Sequence, residues 1–499
     1  MGAPLFLGID LGTSRLKLLA VTAEGGQVAE ASRPIELAIP QPGWAEQDPT
    51  EWWAALTSAC MALFAGGRVD PSQVQAIGLS GQMHGAVFLD AEGAVLRPCI
   101  IWADARTEDQ VAELGQVVPR ADLIRITGNA PNTGFTAPKV LWVRRHEPHV
   151  YDKTRHILLP KDYLRFRLTD QYATDVSDAS ATLMFDLAAR DWSPDLLAAL
   201  NIDAALLPPI HESATVTGRV SEEAARATGL LAGTPVVAGG GDADCAALGV
   251  ALGAGVEAGR PLLSSIGTSG QVFAVTAGPL VDPAGRVHSL CYVLPNCWHV
   301  MGAILAGGAA LNWLRDILAP PGSAPLDFDT LAAEAVAAGV GAEGVIFLPY
   351  LLGERTPHMD PTASAAFTGL RLHHSKGHLV RAVMEGVAFA LLDGLQVLRE
   401  MGVEPGELRP AGGGASMPLW QQIQRDVFNL PVRAGLTDHG AAYGAALLAA
   451  MGAGALPTTG EPFATKTGEP LSPPDPITVA RYKQIYMRYQ ALYPALKGI

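Results

Sequence analysis

Asp242 stands after three glycines at the end of a short apolar run, Pro235-Val-Val-Ala-Gly-Gly-Gly241. A carboxylate delivered to a cleft wall by bare backbone is suited to take the proton of a hydroxyl that attacks a phosphoryl group. An Ala-rich stretch follows, so a helix N-cap is an equally physical reading of Asp242, with Asp244 as an alternative cap. Asp10 closes another apolar run, Leu5 to Asp10, and leads into Gly12-Thr13-Ser14 with Lys17 beyond. Gly, Thr and Ser in a tight turn can aim successive amides and hydroxyls at a polyphosphate, Lys17 adds a compact cation, and Asp10 suits the water shell of Mg²⁺. The same triplet recurs at Gly267-Thr268-Ser269, 255 positions later. Two such turns could grip a polyphosphate from opposite sides.

Further residues could meet a polyol. His84 lies in a glycine-flanked loop after a strand-like run, and Trp102-Ala-Asp104-Ala-Arg106 follows Cys99-Ile-Ile101. An indole beside a carboxylate fits a sugar face and its hydroxyls; a core tryptophan with an ion pair fits equally well. A structural histidine is likewise open for His84. Gly412-Gly413-Gly414 precedes a helix-like segment and admits close backbone approach to a ligand, or simply a tight helix entry.

These residues need elements to hold them. Leu5–Asp10 and Leu16–Val21 are expected to form a hairpin, with a third extended stretch from Val28. Pro49–Ala65 is predicted as a helix and Val74–Leu79 as a buried strand. Residues 262–275 predict a second strand-turn-strand unit, so the chain reads as two similar α/β lobes sharing a cleft, divided near 245/246. Helices are expected after Ala306, over roughly 377–400, after Ser416, from Asp438 and over 478–496, with a Pro-, Gly- and Thr-rich loop over 457–476. The 499 residues allow two large domains. No GxxxxGK[ST] occurs, and Gly339-Val-Gly341-Ala-Glu-Gly344 follows a helix pattern and precedes a strand, the reverse of a dinucleotide site. Net charge is −14, from 35 basic and 49 acidic residues, which disfavours a nucleic-acid or anionic-membrane face. Five cysteines without CxxC spacing fit reduced thiols in a cytoplasmic protein, and no charge-free apolar segment is long enough to span a membrane. A homodimer stays open.

Several motifs fall in one order: strand-Asp-Leu-Gly-Thr-Ser, Gly-Gln-Met-His-Gly, Gly-Phe-Thr-Ala-Pro-Lys139 with Leu-Trp142-Val, Leu-Leu-Pro-Lys-Asp162-Tyr, Gly-Gly-Gly-Asp242, Gly-Thr-Ser-Gly270 and Gly-Glu-Arg-Thr-Pro-His358. This order resembles the FGGY carbohydrate kinases and, within them, the bacterial xylulokinases, over about residues 5 to 450. Met83-His84 is the most discriminating pair, since glycerol kinases carry Arg-Glu there. The resemblance implies two actin-like, ribonuclease-H-like lobes closing over ATP, with D-xylulose phosphorylated. It implies Asp242 as proton acceptor and Met83 and His84 as sugar contacts. Asp10, Thr13, Ser14, Thr268 and Ser269 would lie by phosphate and metal, and Gly308, Asn312, Gly413 and Gly414 near the nucleotide. Two positions depart from the pattern. Ala243 replaces the usual Asn after the aspartate, removing a hydroxyl contact, and Pro418 stands where glycerol-kinase-like members present Asn to adenine. Ala243 keeps a sibling kinase for another ketose, polyol or sugar acid in view. A different class, an actin-like ATPase acting on a protein partner, lacks a reason for Gly-Gln-Met-His-Gly.

Overall fold

The computed structural model describes residues 3–250, 252, 261–319, 322, 325–433, 440–458 and 473–498. Its first half is built on a sheet of seven strands. Leu5–Leu11 (β1) turns back antiparallel into Arg15–Thr22 (β2), which pairs with Gln27–Pro34 (β3). Pro49–Ala65 (α1) then starts on Asp48, whose side chain accepts from the Thr50 amide, with Pro49 in the first turn where its missing N–H costs nothing. Val74–Gly81 (β4) returns parallel to β1. Strand β1 is central and apolar, buried on both faces. Between β4 and the next strands of this sheet come Thr136–His146 (α2), Pro160–Thr169 (α3) and Val176–Ser180 (α4), with short two-stranded sheets. Val216–Arg219 (β5), Pro235–Val237 (β6) and Gly240–Gly241 (β7) complete the sheet in the order β5-β6-β4-β1-β2-β3, with β7 alongside β4.

Asp242–Gly249 (α5) leads to the second half. Pro261–Ile266 (β8) and Gly270–Thr276 (β9) form the second hairpin; His288–Cys291 (β10), Trp298–Ile304 (β11), Gly308–Leu318 (α6), Lys376–Glu400 (α7) and Glu407–Ala411 (β12) follow. The sheet order is β10-β11-β9-β8-β12. The run β12-β8-β9-β11 reproduces β4-β1-β2-β3: a parallel neighbour, a hairpin, then an antiparallel third strand. The repeated Gly-Thr-Ser therefore marks a repeated unit, as expected.

Pro418–Phe428 (α8) lies after the glycine run, and Ala441–Gly452 (α9) is all small or apolar residues. Helix α9 crosses back onto the first sheet. A Cβ on Gly8 of β1 would stand 1.8 Å from the Ala442 carbonyl, and one on Gly78 of β4 would stand 1.9 Å from that of Ala445. Only glycine permits this spacing. Phe6, Leu19 and Ala76 of the first sheet share one core cluster with Leu263 and Phe273 of the second, through Leu447, Leu448 and Met451 of α9. Helices over Pro476–Gln490 and Leu492–Leu496 take up the predicted final helix. Of the expected helix start and loop, residues 438–439 and 459–472 lie outside the described residues. Among the described residues, no helix is long and apolar enough to cross a membrane, and all five cysteines are buried and unpaired with one another.

Candidate active site

A cavity of about 220 Å³ lies between the two halves. Met83, His84, Trp102 and Asp242 line it, as do Ala243, Asn132, Gly134 and Phe135 from the first half and Gln271, His288, Met301 and Arg355 from the second. A larger space of about 520 Å³ shares Trp102, Asn132, Gly134, His288 and Arg355 with it and adds Asp104. Apolar Met83, Trp102, Phe135 and Met301 and the convergent polar side chains of Asp242, His84, Asn132, Gln271, His288 and Arg355 are those of a small polar-ligand site.

Asp242 is the first residue of α5. The cap position falls on Gly241 and no side chain caps the helix, so neither aspartate is the N-cap that the Ala-rich stretch allowed. Asp242 Oδ1 accepts from the Ala243 amide at 2.8 Å. Burial, with the neighbouring charge of Asp10, pushes its carboxyl up to about 7, and the Ala243 hydrogen bond opposes this only in part. Asp244 instead faces His299 Nδ1 at 2.8 Å, both fully buried.

His84 adopts φ +70°, a strained value for a non-glycine residue. Its Nδ1 lies 2.8 Å from the Ala181 carbonyl. A carbonyl can only accept, so Nδ1 carries the proton and Nε2 is left as an acceptor. Burial, reinforced by Lys139, drives its pKa down to about 3, which holds the ring neutral. Lys139 Nζ and Thr136 Oγ1 donate to the His84 carbonyl at 2.9 and 3.1 Å, fixing the strained turn from α2. Phe135 packs its ring edgewise on His84 at 4.9 Å.

Asp10 ends β1. Its Oδ1 is buried without a hydrogen-bond partner among the described residues, and burial raises the carboxyl to about 6 while Ser80 and Lys17 pull the other way. The strand register puts Lys17 opposite Asp10 rather than at the turn, and its ammonium meets Glu30 at 3.1 Å. Gly12, Thr13 and Ser14 form the turn itself. Thr13 is fastened on three sides: Gln47 Nε2 donates to its carbonyl at 2.6 Å, Trp102 Nε1 donates to its hydroxyl at 2.9 Å, and that hydroxyl faces Gln82 Oε1 at 3.4 Å. Trp102, 40% exposed, therefore ties the first turn to the cavity rim. Asp104 is 1% exposed and spends its oxygens on the Ala45 amide and the Arg106 guanidinium, at 2.6 and 2.7 Å. This ion pair orients the Trp102 loop.

The second turn, Gly267-Thr268-Ser269, abuts the start of α6. The Gly308 amide donates to Gly267 O at 2.7 Å, and the amides of Gly307 and Ala309 donate to Thr268 O at 3.0 Å. Asn312 stands one turn further along α6, on its exposed side. Gly412 adopts φ +72°, and a Cβ there would fall 2.7 Å from the Ile266 carbonyl; one on Gly414 would meet Ile266 at the same distance. Gly413 faces open space. The structure thus brings Gly267–Ser269, Gly308, Gly413 and Gly414 into one neighbourhood.

Sequence reasoning did not single out Asn132, Phe135, Gln271, His288, Met301 or Arg355 as site residues. Phe135 and Arg355 sit inside motifs quoted for the family resemblance, the only signal that could have found them. Elsewhere, Glu343, His373 and His374 bring ligand-type atoms within 4.8 Å of one another. The Arg371 amide donates to His374 Nδ1 at 2.9 Å, so the proton sits on Nε2, which then has no lone pair for a metal.

Residues 5–249 match the N-terminal domain of the FGGY family of carbohydrate kinases, and residues 262–453 match its C-terminal domain. The xylulose kinase of Escherichia coli (strain K12) is 43% identical over 447 residues, covering 89% of each chain. The crystal structure of xylulose kinase from Rhodospirillum rubrum superposes with a TM-score of 0.88 at 34% identity, covering 99% of both chains. That of gluconate kinase from Lactobacillus acidophilus superposes at 0.91 and 26% identity, covering 100% of this chain and 99% of the other. The repeated hairpin sheets and the cavity between them are the two actin-like lobes of such kinases, and on both sequence and fold the chain belongs to the FGGY family of carbohydrate kinases.

Proposed function

We propose that the protein transfers the γ-phosphoryl group of ATP to the terminal hydroxyl of D-xylulose, giving D-xylulose 5-phosphate and ADP. The observation that carries this reading is Asp242: a carboxylate raised to about 7, delivered by β7 into a small cavity with Met83 and His84. In the reaction Asp242 accepts the hydroxyl proton, the sugar oxygen bonds to phosphorus, and the bond to the bridging oxygen of ADP breaks. Neutral His84 accepts a sugar hydroxyl at Nε2, and Trp102 lies along the sugar face. Asp104 acts by holding that loop.

The turns Gly12–Ser14 and Gly267–Ser269 cradle the phosphates with their amides and hydroxyls; Gly308, Asn312, Gly413 and Gly414 border the nucleoside side. Lys17 contributes through its charge near Asp10. The orphaned buried oxygen of Asp10 and the adjacent charge of Asp242 fit a hard divalent cation. Mg²⁺ bound there would neutralise charge on the phosphates. We place the lobe boundary at 245/246 and the protein in the cytoplasm, a reading supported by five buried free thiols.

A sibling substrate is the second reading. Ala243 lines the cavity where a longer polar side chain is usual, and the Arg355 guanidinium lines it too, a feature suited to a sugar acid. Sugar-stimulated ADP release separates them: with D-xylulose, D-ribulose, glycerol and gluconate compared, D-xylulose should give the highest kcat/KM. A higher value for gluconate would replace the first reading with the second. Stimulation by none would return the ATPase alternative.

A further inference from the structure

A buried charge cluster adjoins the strands that lead into Met83-His84 and Asp242. Lys161, at the start of α3, is 0% exposed, with Nζ 2.6 Å from Asp162, 2.9 Å from Asp175 and 3.4 Å from Asp178, all equally buried. Its β-carbon abuts Gly81 at the end of β4, where a Cβ would meet it at 3.2 Å. Two buried cations, Lys161 and the Arg165 guanidinium whose charge also acts on Asp162, stand against three carboxylates; this is an expensive core, and apolar residues of like volume often hold a fold at no greater cost. The cluster is not isolated. Asp175 Oδ2 accepts from the Ser213 hydroxyl at 2.8 Å and from the Ser177 hydroxyl at 2.5 Å. The Ser177 oxygen in turn accepts from the amide of Gly241 at 3.1 Å, the residue before Asp242. Strand β7 has little freedom otherwise: a Cβ on Gly240 would lie 2.4 Å from Val293, and one on Gly241 would lie 2.8 Å from the Met83 sulfur.

We propose that Lys161, Asp175 and Ser177 form a positioning relay for Asp242. The Lys161 ammonium fixes Asp175, Asp175 orients the Ser177 hydroxyl, and Ser177 holds the Gly241 amide so that β7 presents the carboxylate at one angle. The relay touches neither sugar nor nucleotide. It rests on the reading of Asp242 as proton acceptor, and misalignment of such a group by a fraction of an ångström is costly in rate.

A double-mutant cycle on the full-length enzyme tests it. Ser177→Ala removes the acceptor for the Gly241 amide while leaving nearly all the side-chain volume. Expected is a fall in kcat of about tenfold with KM for sugar and ATP within about twofold, the mark of a group acting on the transition state alone. In an Asp242→Asn background the same change should alter the residual single-turnover rate by less than about twofold, because the carboxylate being positioned is gone. Lys161→Met should lower kcat at least as far; if it does not fold, the Ser177 cycle decides alone. Full kcat in Ser177→Ala, a rise in KM only, or an equal loss in both backgrounds would overturn the relay. Normal turnover of Asp242→Asn would overturn the proton-acceptor reading and the relay with it, so the two failures are distinguishable.

Discussion

At the residue scale the decisive quantity is when Asp242 ionises. Burial and the charge of Asp10 raise its carboxyl to about 7, and a proton acceptor works only in its ionised form. As pH falls below about 7, kcat/KM for the sugar should therefore fall about tenfold per unit, with a plateau above. Asp242→Asn should lose at least about a hundredfold in turnover while keeping ATP binding, and should erase this acid limb. A wild-type rate flat through the same range would contradict the assignment. That Asp242 and His84 line the cavity was legible from glycine runs and strand ends, and Met83 from the family resemblance. Asn132, Gln271, His288 and Met301 were not. Each is an ordinary residue in its own segment, and only the meeting of two halves around one cavity brings it to the site. The positive φ of His84 was equally hidden, since it depends on Lys139, Thr136 and Ala181 far along the chain.

At the element scale, the two hairpins were readable from the short apolar runs on either side of Gly-Thr-Ser, and α1 from its Asp-Pro start. What α9 packs against was not, because a helix of alanines and leucines carries no mark of its partner. The contact itself explains the composition: Gly8 and Gly78 on the strands face the backbone of α9. Gly78→Val should therefore push the helix off the sheet and cost about 3 kcal/mol or more, read as a lower urea midpoint with unchanged slope. An unchanged midpoint would mean that the helix is not held at this spacing. The region between Cys99 and Thr234 was the least legible, being mostly short helices and two-residue or three-residue strands, several of which pair with distant segments.

At the scale of the whole molecule, the lobes read from the sequence are joined by more than a linker. The cluster around Phe6, Leu263, Phe273 and Leu448 belongs to both sheets at once. Unfolding should then be one cooperative event: calorimetry should show a single endotherm, with fluorescence of Trp52 in the first lobe and Trp420 in the second changing together. Two resolved transitions would show lobes that melt separately. The net charge of −14 also gains a place in this picture. An acidic exterior repels anions in general, which suits the proposed phosphate site, where backbone amides and hydroxyls of two turns rather than a basic patch would hold the anion.

Helix α9 has one more consequence, for the order in which the protein is made. The ribosome releases β1 and β4 early, but the helix that covers them follows only after the second sheet has been made. Until then Gly8 and Gly78 present a bare strip of sheet, and the first lobe must wait, incompletely covered, while the second sheet is synthesised. Covering of the first sheet is thus coupled to translation of α9, and a nascent chain stalled before Ala441 would expose the strip to chaperones that bind extended apolar segments.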